Sequence, residues 1–220
     1  MSHAKDRIYE QFARIGKALA SPARLELLDL LSQGEKTVEQ LAEQARLGVK
    51  NASAHLRVLR EARLVENRKE SPHVFYRLAD EAVLRVVREL EALAQLRLAE
   101  VEQISRLYFD APSQLEPIDG AELLRRVEAG DVTVLDVRPP DEYRAGHIPG
   151  ALSMPVEQLE RRLSEIPADR PVIAYCRGPF CVFAGDAVEE LRRHGYSAER
   201  MAEGLPDWRL AGHPVATGDV

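Results

Sequence analysis

The pattern of apolar residues changes once along the chain, near residue 110, and this change restricts the fold more than any other feature. Up to Phe109, apolar side chains recur every three or four residues in successive blocks, as in amphipathic helices. After the segment 111–117, which contains Pro112 and Pro117, short apolar runs alternate with helical patterns, as in a parallel α/β sheet. The sequence therefore predicts a mainly α domain over 1–110, a linker over 111–117 and a small α/β domain over 118–220.

The composition is that of an ordinary globular protein, with 45% hydrophobic and 30% charged residues among 220. No run approaches the roughly 20 apolar residues that a membrane-spanning helix needs. We therefore expect a cytoplasmic protein with no membrane partner. Two cysteines are too few for a disulfide scaffold, and in a reducing compartment they indicate catalytic or redox chemistry.

The two halves of the chain differ in charge. Residues 1–110 contain 18 lysines and arginines against 17 aspartates and glutamates, whereas residues 111–220 contain 12 against 19. The acidic second half should avoid nucleic acid. The nearly neutral first half can bind DNA only if its basic residues lie on one face.

Four helices and a β-hairpin are predicted over the first 78 residues. The helices show apolar side chains at helical spacing, and cap, proline or glycine residues separate one from the next. The third helix has the clearest start, because Thr37 and Gln40 have the spacing of a capping box. The predicted bounds are 8–19, 22–34, 37–45 and 50–63 for the helices, and 66–70 and 73–78 for the hairpin strands.

The third and fourth helices have the arrangement of a helix-turn-helix, in which the second helix enters the DNA major groove. The hairpin that follows would form a basic wing. A small helical domain with a solvated basic face is the alternative interpretation. The candidate DNA contacts are Lys50, Asn51, Ser53, Arg57, Arg60, Arg68 and Lys69.

Residues 53–62, which read SAHLRVLREA, are followed by Leu64-Val65 and the hairpin, and together they resemble the ArsR-type winged-helix regulators. The resemblance covers about residues 7–108. It implies double-stranded DNA as a partner, and it adds His55 to the groove-facing residues beside Ser53. Arg63 departs from the family, which usually has glycine there, and we expect this departure to affect the turn.

Many proteins of the ArsR type sense metals, so ligand patterns are relevant. The third helix contains no cysteine, the last helix of the domain contains no histidine, and the six histidines of the chain show no ligand-like spacing. We therefore expect no metal site and no cofactor.

A single long helix is predicted from Asp80 to Phe109, with apolar residues repeating at three and four. The apolar stripe is longer than a small winged helix can cover, so pairing with a second copy in a homodimer is the favoured interpretation. A two-fold dimer would suit a palindromic operator. Packing of the stripe against the second domain is the alternative.

Both cysteines of the chain lie in the stretch Tyr175 to Cys181, which reads YCRGPFC. The stretch lies between a predicted buried strand and a predicted helix over 182–193. Unpaired N–H groups of the first helical turn and the positive charge of Arg177 would stabilise a thiolate at Cys176. The alternative is that Cys176 is a small core residue at the end of a strand.

The remaining elements of the second half alternate between helices and strands. Ligands of such parallel sheets bind beyond the carboxyl ends of the strands, where Cys176 is placed. A loop is predicted through Pro139-Pro140. The other predicted bounds are 121–128 and 156–163 for helices, and 132–137, 172–174 and 198–202 for strands.

Four motifs in order resemble a single-domain rhodanese over about residues 118–215: DVR from Asp136, EYRAGHIPGA from Glu142, the cysteine loop, and GLPDW from Gly204. The resemblance implies that Cys176 attacks a sulfane sulfur donor, such as thiosulfate or polysulfide, and carries a persulfide. Asp136, His147 and Trp208 would support the sheet and the loop rather than take part in chemistry.

Within this resemblance, the catalytic candidates are Cys176, Arg177 and Cys181, and the candidates for binding an anion along the loop are Gly178, Phe180 and Val182. Val182 stands where related phosphatases have arginine, which argues against oxyanion hydrolysis. Cys181 could attack a persulfide on Cys176 and give a disulfide or a sulfur-bridged pair. A buried position at the helix start is the alternative for Cys181.

Three hypotheses about function remain open. The first is a dimeric repressor whose rhodanese domain detects or processes reactive sulfur. The second is a working sulfurtransferase in which the winged helix serves only for dimerisation. The third is a redox switch that answers oxidants through a disulfide between Cys176 and Cys181.

Overall fold

The structure is a computed structural model that describes residues 2–110 and 117–218. It divides into two compact units, Met1–Glu91 and Ala92–Val220. The predicted linker over 111–117 lies outside the described residues except for Pro117, so the domain boundaries drawn from the sequence stay a prediction. Among the described residues, no helix is both long enough and apolar enough to span a membrane.

Helices and a small antiparallel sheet make up the chain as far as residue 97. The strands pair in the order β1-β3-β2. The helices are α1 (Ser2–Leu19), α2 (Pro22–Ser32), α3 (Val38–Gln44), α4 (Val49–Glu61) and α5 (Glu81–Arg97), and the strands are β1 (Lys36–Thr37), β2 (Val65–Glu70) and β3 (His73–Leu78).

The capping box at the start of α3 is present as predicted. The N–H of Gln40 donates to the Thr37 hydroxyl at 3.2 Å, and the N–H of Thr37 donates to the Gln40 side chain at 2.8 Å. At the start of α2, Pro22 occupies the first turn as predicted, but the Ser21 side chain makes no capping hydrogen bond within the described residues. The Ser21 carbonyl instead accepts from Arg24 and Leu25.

The predicted hairpin is present, and a short strand that was not predicted holds it against the helices. Strands β2 and β3 pair from Val65 opposite Leu78 to Glu70 opposite His73, with the turn at Ser71-Pro72. Strand β1 pairs with β3 and ends where α3 begins. The hairpin is therefore tied through the backbone to the helix-turn-helix of α3 and α4.

Leucines from successive helices form the core of the first unit. Leu28 of α2, Leu41 of α3, and Leu56 and Leu59 of α4 are all essentially inaccessible to solvent. Burying such a side chain stabilises a fold by about 1.5–3 kcal/mol. The inward face of α4 is thereby fixed, so its opposite face must lie towards solvent.

Arg63, where the sequence departs from the ArsR pattern, has a left-handed backbone with φ of 61°. Glycine adopts this conformation without steric cost, whereas a residue with a Cβ atom loses roughly 1–2 kcal/mol. The departure therefore affects the turn between α4 and β2, as expected, and the turn keeps its shape at a cost in stability.

The prediction of one long helix from Asp80 to Phe109 is wrong in its continuity. After α5, Leu98 has an extended backbone, and α6 (Ala99–Ser105) and a π-helical turn (Arg106–Asp110) follow. The buried apolar residues of α5 are Val83, Leu84 and Val87, all in its first half. Packing provides most of the stability of helices in proteins, and beyond Val87 this support is lost.

A parallel sheet with strand order β5-β4-β6-β7 forms the centre of the second unit. The strands are β4 (Thr133–Asp136), β5 (Leu152–Ser153), β6 (Val172–Cys176) and β7 (Ala198–Gly204). The helices are α7 (Gly120–Ala129), α8 (Pro140–Ala145), α9 (Leu159–Arg162), α10 (Val182–Arg193) and α11 (Leu205–Leu210).

The strand side chains alternate between two apolar clusters, one on each face of the sheet. Ala174 and Cys176 of β6 face the cluster that includes α10, whereas Ile173 and Tyr175 face the cluster that includes Trp208 of α11. Both faces are covered by helices, which is typical of a parallel sheet. Strand β6 is buried along its whole length, as its apolar run predicts.

Some short elements of the second unit differ from the sequence prediction. The segment predicted as a loop through Pro139-Pro140 forms α8, with Pro140 at its first position. Strand β5 and helix α11 were not predicted, because two and six residues are too few to show a period. The predicted helix over 156–163 is the short α9 flanked by 3-10 turns at Val156–Gln158 and Leu163–Glu165.

Candidate functional site

The cysteine loop follows the carboxyl end of β6 and leads directly into α10. Cys176 is the last residue of β6 and is buried, whereas Cys181 is half-buried and is the N-cap residue of α10. The N–H of Cys181 donates to the Gly178 carbonyl at 3.1 Å. The two sulfurs are bonded in the structure, with 6.4 Å between the Cα atoms. The loop therefore brings both thiols to one point, which the sequence left open.

Arg177 does not offer a free positive charge beside Cys176. Its Nη2 donates to Glu142 Oε1 at 2.6 Å, and its Nε lies 3.0 and 3.1 Å from the two carboxylate oxygens. Glu142, in α8, is fully buried, and the Arg177 side chain is 16% exposed. The charge of Arg177 is thus shared with Glu142, and the part of Arg177 in stabilising a thiolate at Cys176 stays a prediction.

The backbone of β7 forms the support beneath the loop. Gly204 lies opposite Cys176 in the sheet register. A Cβ atom at position 204 would lie 2.1 Å from the Arg177 carbonyl oxygen and 2.5 Å from the Gly178 nitrogen. Only glycine permits such an approach, so Gly204 sets the position of the peptide that follows the first cysteine.

Asp136, at the end of β4, is the centre of a buried hydrogen-bond network. Its carboxylate accepts from Arg138 Nη2 at 2.6 Å, from the Arg138 backbone N–H at 3.0 Å and from the Tyr175 hydroxyl at 2.6 Å. Asp136 and Arg138 are both fully buried. Burial and the charge of Asp136 raise the pKa of Tyr175, which keeps its hydroxyl protonated as a donor.

The charge of Arg138 is maintained within this network. Burial acts to lower the pKa of Arg138, but the charge of Asp136 and its hydrogen bonds outweigh burial and raise it. Arg138 Nη2 also donates to the Gly146 carbonyl at 2.7 Å, so the network links β4 to the residues after α8.

The contacts of His147 and Trp208 agree with the supporting role expected for them. The His147 ring stacks on Tyr143 with 3.8 Å between the centroids, and its backbone pairs with Ala216. The Trp208 indole N–H donates to the Pro214 carbonyl at 2.7 Å. Both residues tie the end of the described chain to the sheet.

The three residues predicted to bind an anion along the loop differ in exposure. Gly178 is half-buried, Phe180 is 38% exposed and Val182 is 43% exposed. The outer rim of the loop is therefore apolar. The role of these residues in anion binding stays a prediction, because it would depend on their backbone N–H groups and not on their side chains.

On the first unit, the exposed face of α4 carries most of the residues predicted to contact DNA. Lys50, Ser53, Arg57 and Arg60 are exposed, follow one another at three- and four-residue spacing and form one stripe along the helix. Asn51 and His55 are four residues apart and lie roughly 140–180° around the helix from the middle of this stripe. The predicted residues thus form two separate rows on α4.

The two basic residues of the wing, Arg68 and Lys69, differ in their contacts with acidic residues. Arg68 donates to Glu35 at 2.6 Å and also pairs with Glu70, and its guanidinium lies over the Phe75 ring at 4.5 Å. The hydrogen bonds to Glu35 and Glu70 raise the pKa of Arg68. Lys69 is exposed and makes no ion pair with any residue that the structure describes. Lys69 is therefore the freer cation.

Comparison with known proteins identifies both units. Residues 21–67 match the arsR family of bacterial regulatory proteins, and residues 119–211 match the rhodanese-like domain. The chain is 45% identical to the HTH-type transcriptional regulator Rv0324 of Mycobacterium tuberculosis over 217 residues, which cover 99% of this chain and 95% of that protein. The chain belongs to the ArsR family. It is a transcriptional regulator of this family with a second, rhodanese-like domain.

Other relatives each match one half of this ArsR-family regulator. A protein named sulfurtransferase from Allochromatium vinosum is 35% identical over 100 residues, covering 44% of this chain and 92% of that protein. A biofilm growth-associated repressor from Agrobacterium fabrum is 38% identical over 90 residues, covering 41% of this chain and 77% of that protein.

The sequence did not reveal three residues that shape these sites. Glu142 lies within a motif of the rhodanese resemblance, but its pairing with Arg177, 35 residues away, has no local pattern. Glu35 likewise pairs with Arg68 across 33 residues. Gly204 also belongs to a quoted motif, and only the structure shows the backbone that it approaches. Among the described residues, no cluster of three or more histidine, cysteine or acidic side chains could hold a metal ion.

Proposed function

We propose that this ArsR-family regulator is a homodimeric repressor whose affinity for a palindromic operator depends on whether Cys176 has reacted with sulfane sulfur. One observation carries the proposal: the rhodanese-like domain places both cysteines of the chain within bonding distance, at the carboxyl end of a central strand. A carrier needs one thiol, whereas a second thiol in the same loop allows a lasting change of state.

The exposed stripe of α4 supports DNA binding by the first domain. Cations on this stripe can reach phosphates while the polar side chains of Asn51 and Ser53 contact base edges. The wing adds Lys69, which is free to bind phosphate. This placement of charge is what a nearly neutral domain requires to bind DNA.

Exposed apolar side chains support the dimer. Ile8, Tyr9 and Phe12 of α1 are each more than half exposed, and so are Leu93 and Leu96 of α5. Exposed apolar side chains of this kind are typical of sites of protein association. A two-fold dimer would also suit the symmetry of a palindromic site. The repressor direction is taken from the relative in Agrobacterium fabrum.

The proposed sulfur chemistry has two steps. In the first, the Cys176 thiolate attacks the outer sulfur of a donor, for example thiosulfate, forms a persulfide on Cys176 and releases sulfite. In the second, the Cys181 thiolate attacks the inner sulfur, Cys176 Sγ, and hydrosulfide leaves. The product is the Cys176–Cys181 disulfide, and no oxidant other than the sulfane sulfur is consumed.

A conformational change in the loop would then alter DNA affinity. A ligand shifts an equilibrium only through different affinities for two states, and coupling of about 1–3 kcal/mol changes affinity about 5- to 150-fold. Closing the disulfide restricts residues 177–180, including the exposed Phe180 ring. This segment is the part of the second domain whose surface changes most directly with the state of the thiols.

A sulfurtransferase is the second candidate function, and the likeness to the protein of that name from Allochromatium vinosum favours it. In an enzyme, an external acceptor would take the sulfur from Cys176 before Cys181 does. Steady release of sulfite in the presence of thiosulfate and an acceptor thiol distinguishes turnover from a single loading event.

We predict that Cys176 is modified before Cys181, because the rhodanese resemblance assigns the attack on the donor to the cysteine that ends the central strand. Mass spectrometry of the reduced protein after limiting polysulfide should find one added sulfur atom on Cys176. Cys176→Ser should remove this species, and Cys181→Ser should prolong its lifetime. Labelling of Cys181 at the wild-type rate in Cys176→Ser would contradict the assignment, and a disulfide formed with peroxide but not with polysulfide would favour the redox switch.

We predict that the two basic residues of the wing contribute unequally to DNA binding. Lys69→Ala should weaken binding to all sequences alike and reduce the salt slope by about 1, because it removes one phosphate contact. Arg68→Ala should cost less, since Arg68 must first leave Glu35 and Glu70. Glu35→Gln should strengthen binding. Fluorescence anisotropy across a salt series provides the measurement, and a larger loss for Arg68→Ala than for Lys69→Ala would refute the prediction.

A further inference from the structure

The cysteine loop brings only one cationic side chain to Cys176, and that side chain is paired, which restricts the sulfur donor. Arg177 is the only lysine, arginine or histidine between Tyr175 and Phe183. Its guanidinium is held by three hydrogen bonds to the buried carboxylate of Glu142. The loop has no other cationic side chain that could bind the second negative charge of a doubly charged donor. The N-terminus of α10 supplies only about half an elementary charge.

The side chains at the rim of the loop also disfavour a highly charged sulfur donor. Phe180 and Val182 are exposed apolar side chains on either side of Cys181. Phe183 lies beside Arg177, with 5.8 Å between the guanidinium carbon and the ring centroid. A strongly hydrated ion would lose its water against these side chains without a matching cation, and such desolvation is costly.

We propose that Cys176 takes its sulfur from hydropersulfides of small thiols, R–S–SH, in preference to thiosulfate. This inference rests on the proposed function, since it names the donor for the same loop. The Cys176 thiolate attacks the terminal sulfur of R–S–SH, the S–S bond of the donor breaks, and the thiolate R–S⁻ leaves with one negative charge. With thiosulfate the leaving group is sulfite, with two charges that the paired Arg177 cannot stabilise.

Glu142 is accordingly a specificity-determining residue that acts through Arg177. It lowers the positive charge available to a donor without contacting the donor. An additional cation on the rim, without a carboxylate partner, should therefore restore the use of thiosulfate. Phe180 offers an exposed position for such a cation.

The test measures the loading rate of reduced full-length protein with thiosulfate and with the persulfide of 2-mercaptoethanol, an uncharged thiol. We expect the persulfide to load Cys176 at least about tenfold faster, as the loss of one charged hydrogen bond implies. Phe180→Arg should raise the ratio of the thiosulfate rate to the persulfide rate about fivefold or more, because the added charge favours the donor with the doubly charged leaving group. Phe180→Gln is the control of similar exposure without charge, and Glu142→Gln should shift the ratio in the same direction as Phe180→Arg.

The outcomes separate this inference from the proposed function. Equal or faster loading by thiosulfate in the wild-type protein would overturn the donor preference and leave sulfur sensing intact. A failure of both donors to load Cys176 would overturn the sulfur chemistry itself. An equal gain in Phe180→Gln and Phe180→Arg would show that size and not charge selects the donor, and would also overturn the inference.

Discussion

Replacing Asp136 with alanine is expected to unfold the rhodanese-like domain while the DNA-binding domain stays folded. The Asp136 carboxylate is the partner of the fully buried Arg138 and of the buried Tyr175 hydroxyl. Its removal leaves an uncompensated charge inside the protein, and breaking a buried ion pair from one side costs about 3–5 kcal/mol. This is a large part of the stability of a small domain.

The single tryptophan of the chain makes this result measurable. Trp208 is 1% exposed and lies in the second unit, so its fluorescence reports the unfolding of that domain. Urea titration of Asp136→Ala should show the tryptophan transition at much lower urea, or already complete in water. Tyr175→Phe is the graded control, with a loss of about 1–1.5 kcal/mol for one hydrogen bond. A tryptophan transition unchanged in Asp136→Ala would contradict the role given to the network.

Gly204→Ala is expected to displace the cysteine loop and to slow sulfur loading of Cys176 strongly. The added Cβ atom would lie 2.1 Å from a backbone oxygen, and backbone cannot move aside as a flexible side chain can. Overpacking of this kind costs about 1–3 kcal/mol and occasionally more. The strain falls on the peptide between Arg177 and Gly178, directly beside the attacking thiol.

Gly185→Ala provides the matched control for this variant. Gly185 lies within α10, and a Cβ atom there meets no other atom within 4 Å. Alanine in a helix interior is more stable than glycine by about 0.5–1 kcal/mol. The two variants should therefore change stability in opposite directions, and only Gly204→Ala should lower the rate of persulfide formation. Equal loading rates in both variants would show that the loop does not depend on the Gly204 backbone.

The sequence predicted those elements whose stability is local or whose apolar pattern is long. The capping box at Thr37 and the buried strand before Cys176 are of this kind, since the contacts that fix them are near in the chain or need only burial. The break at Leu98 was not predictable, because no proline or glycine marks it and the helix there lacks packing partners. Periodicity alone cannot show that a stripe is left uncovered.

The sequence showed which charged residues belong to the candidate sites. It did not show whether each charge is paired with a charge elsewhere in the chain. Arg177 was expected to lend its positive charge to Cys176 and Arg68 to contact DNA, and both are paired with carboxylates more than 30 residues away along the chain. Such pairs depend on which elements the fold brings together. The free charge of a site is therefore a property of the tertiary structure and cannot be read from residue type alone.

The most direct test of the account is the affinity of the full-length dimer for an operator before and after sulfur loading. The operator is selected from a pool of genomic fragments, and mass spectrometry of the same samples checks that Cys176 has been loaded, as the persulfide or as the disulfide with Cys181 that follows from it. We expect loading to change the affinity of the wild-type protein at least about fivefold and to leave that of Cys176→Ser unchanged. If the wild-type affinity stays the same while Cys176 is fully loaded, the two domains do not communicate, and the account of a sulfur-responsive repressor is wrong.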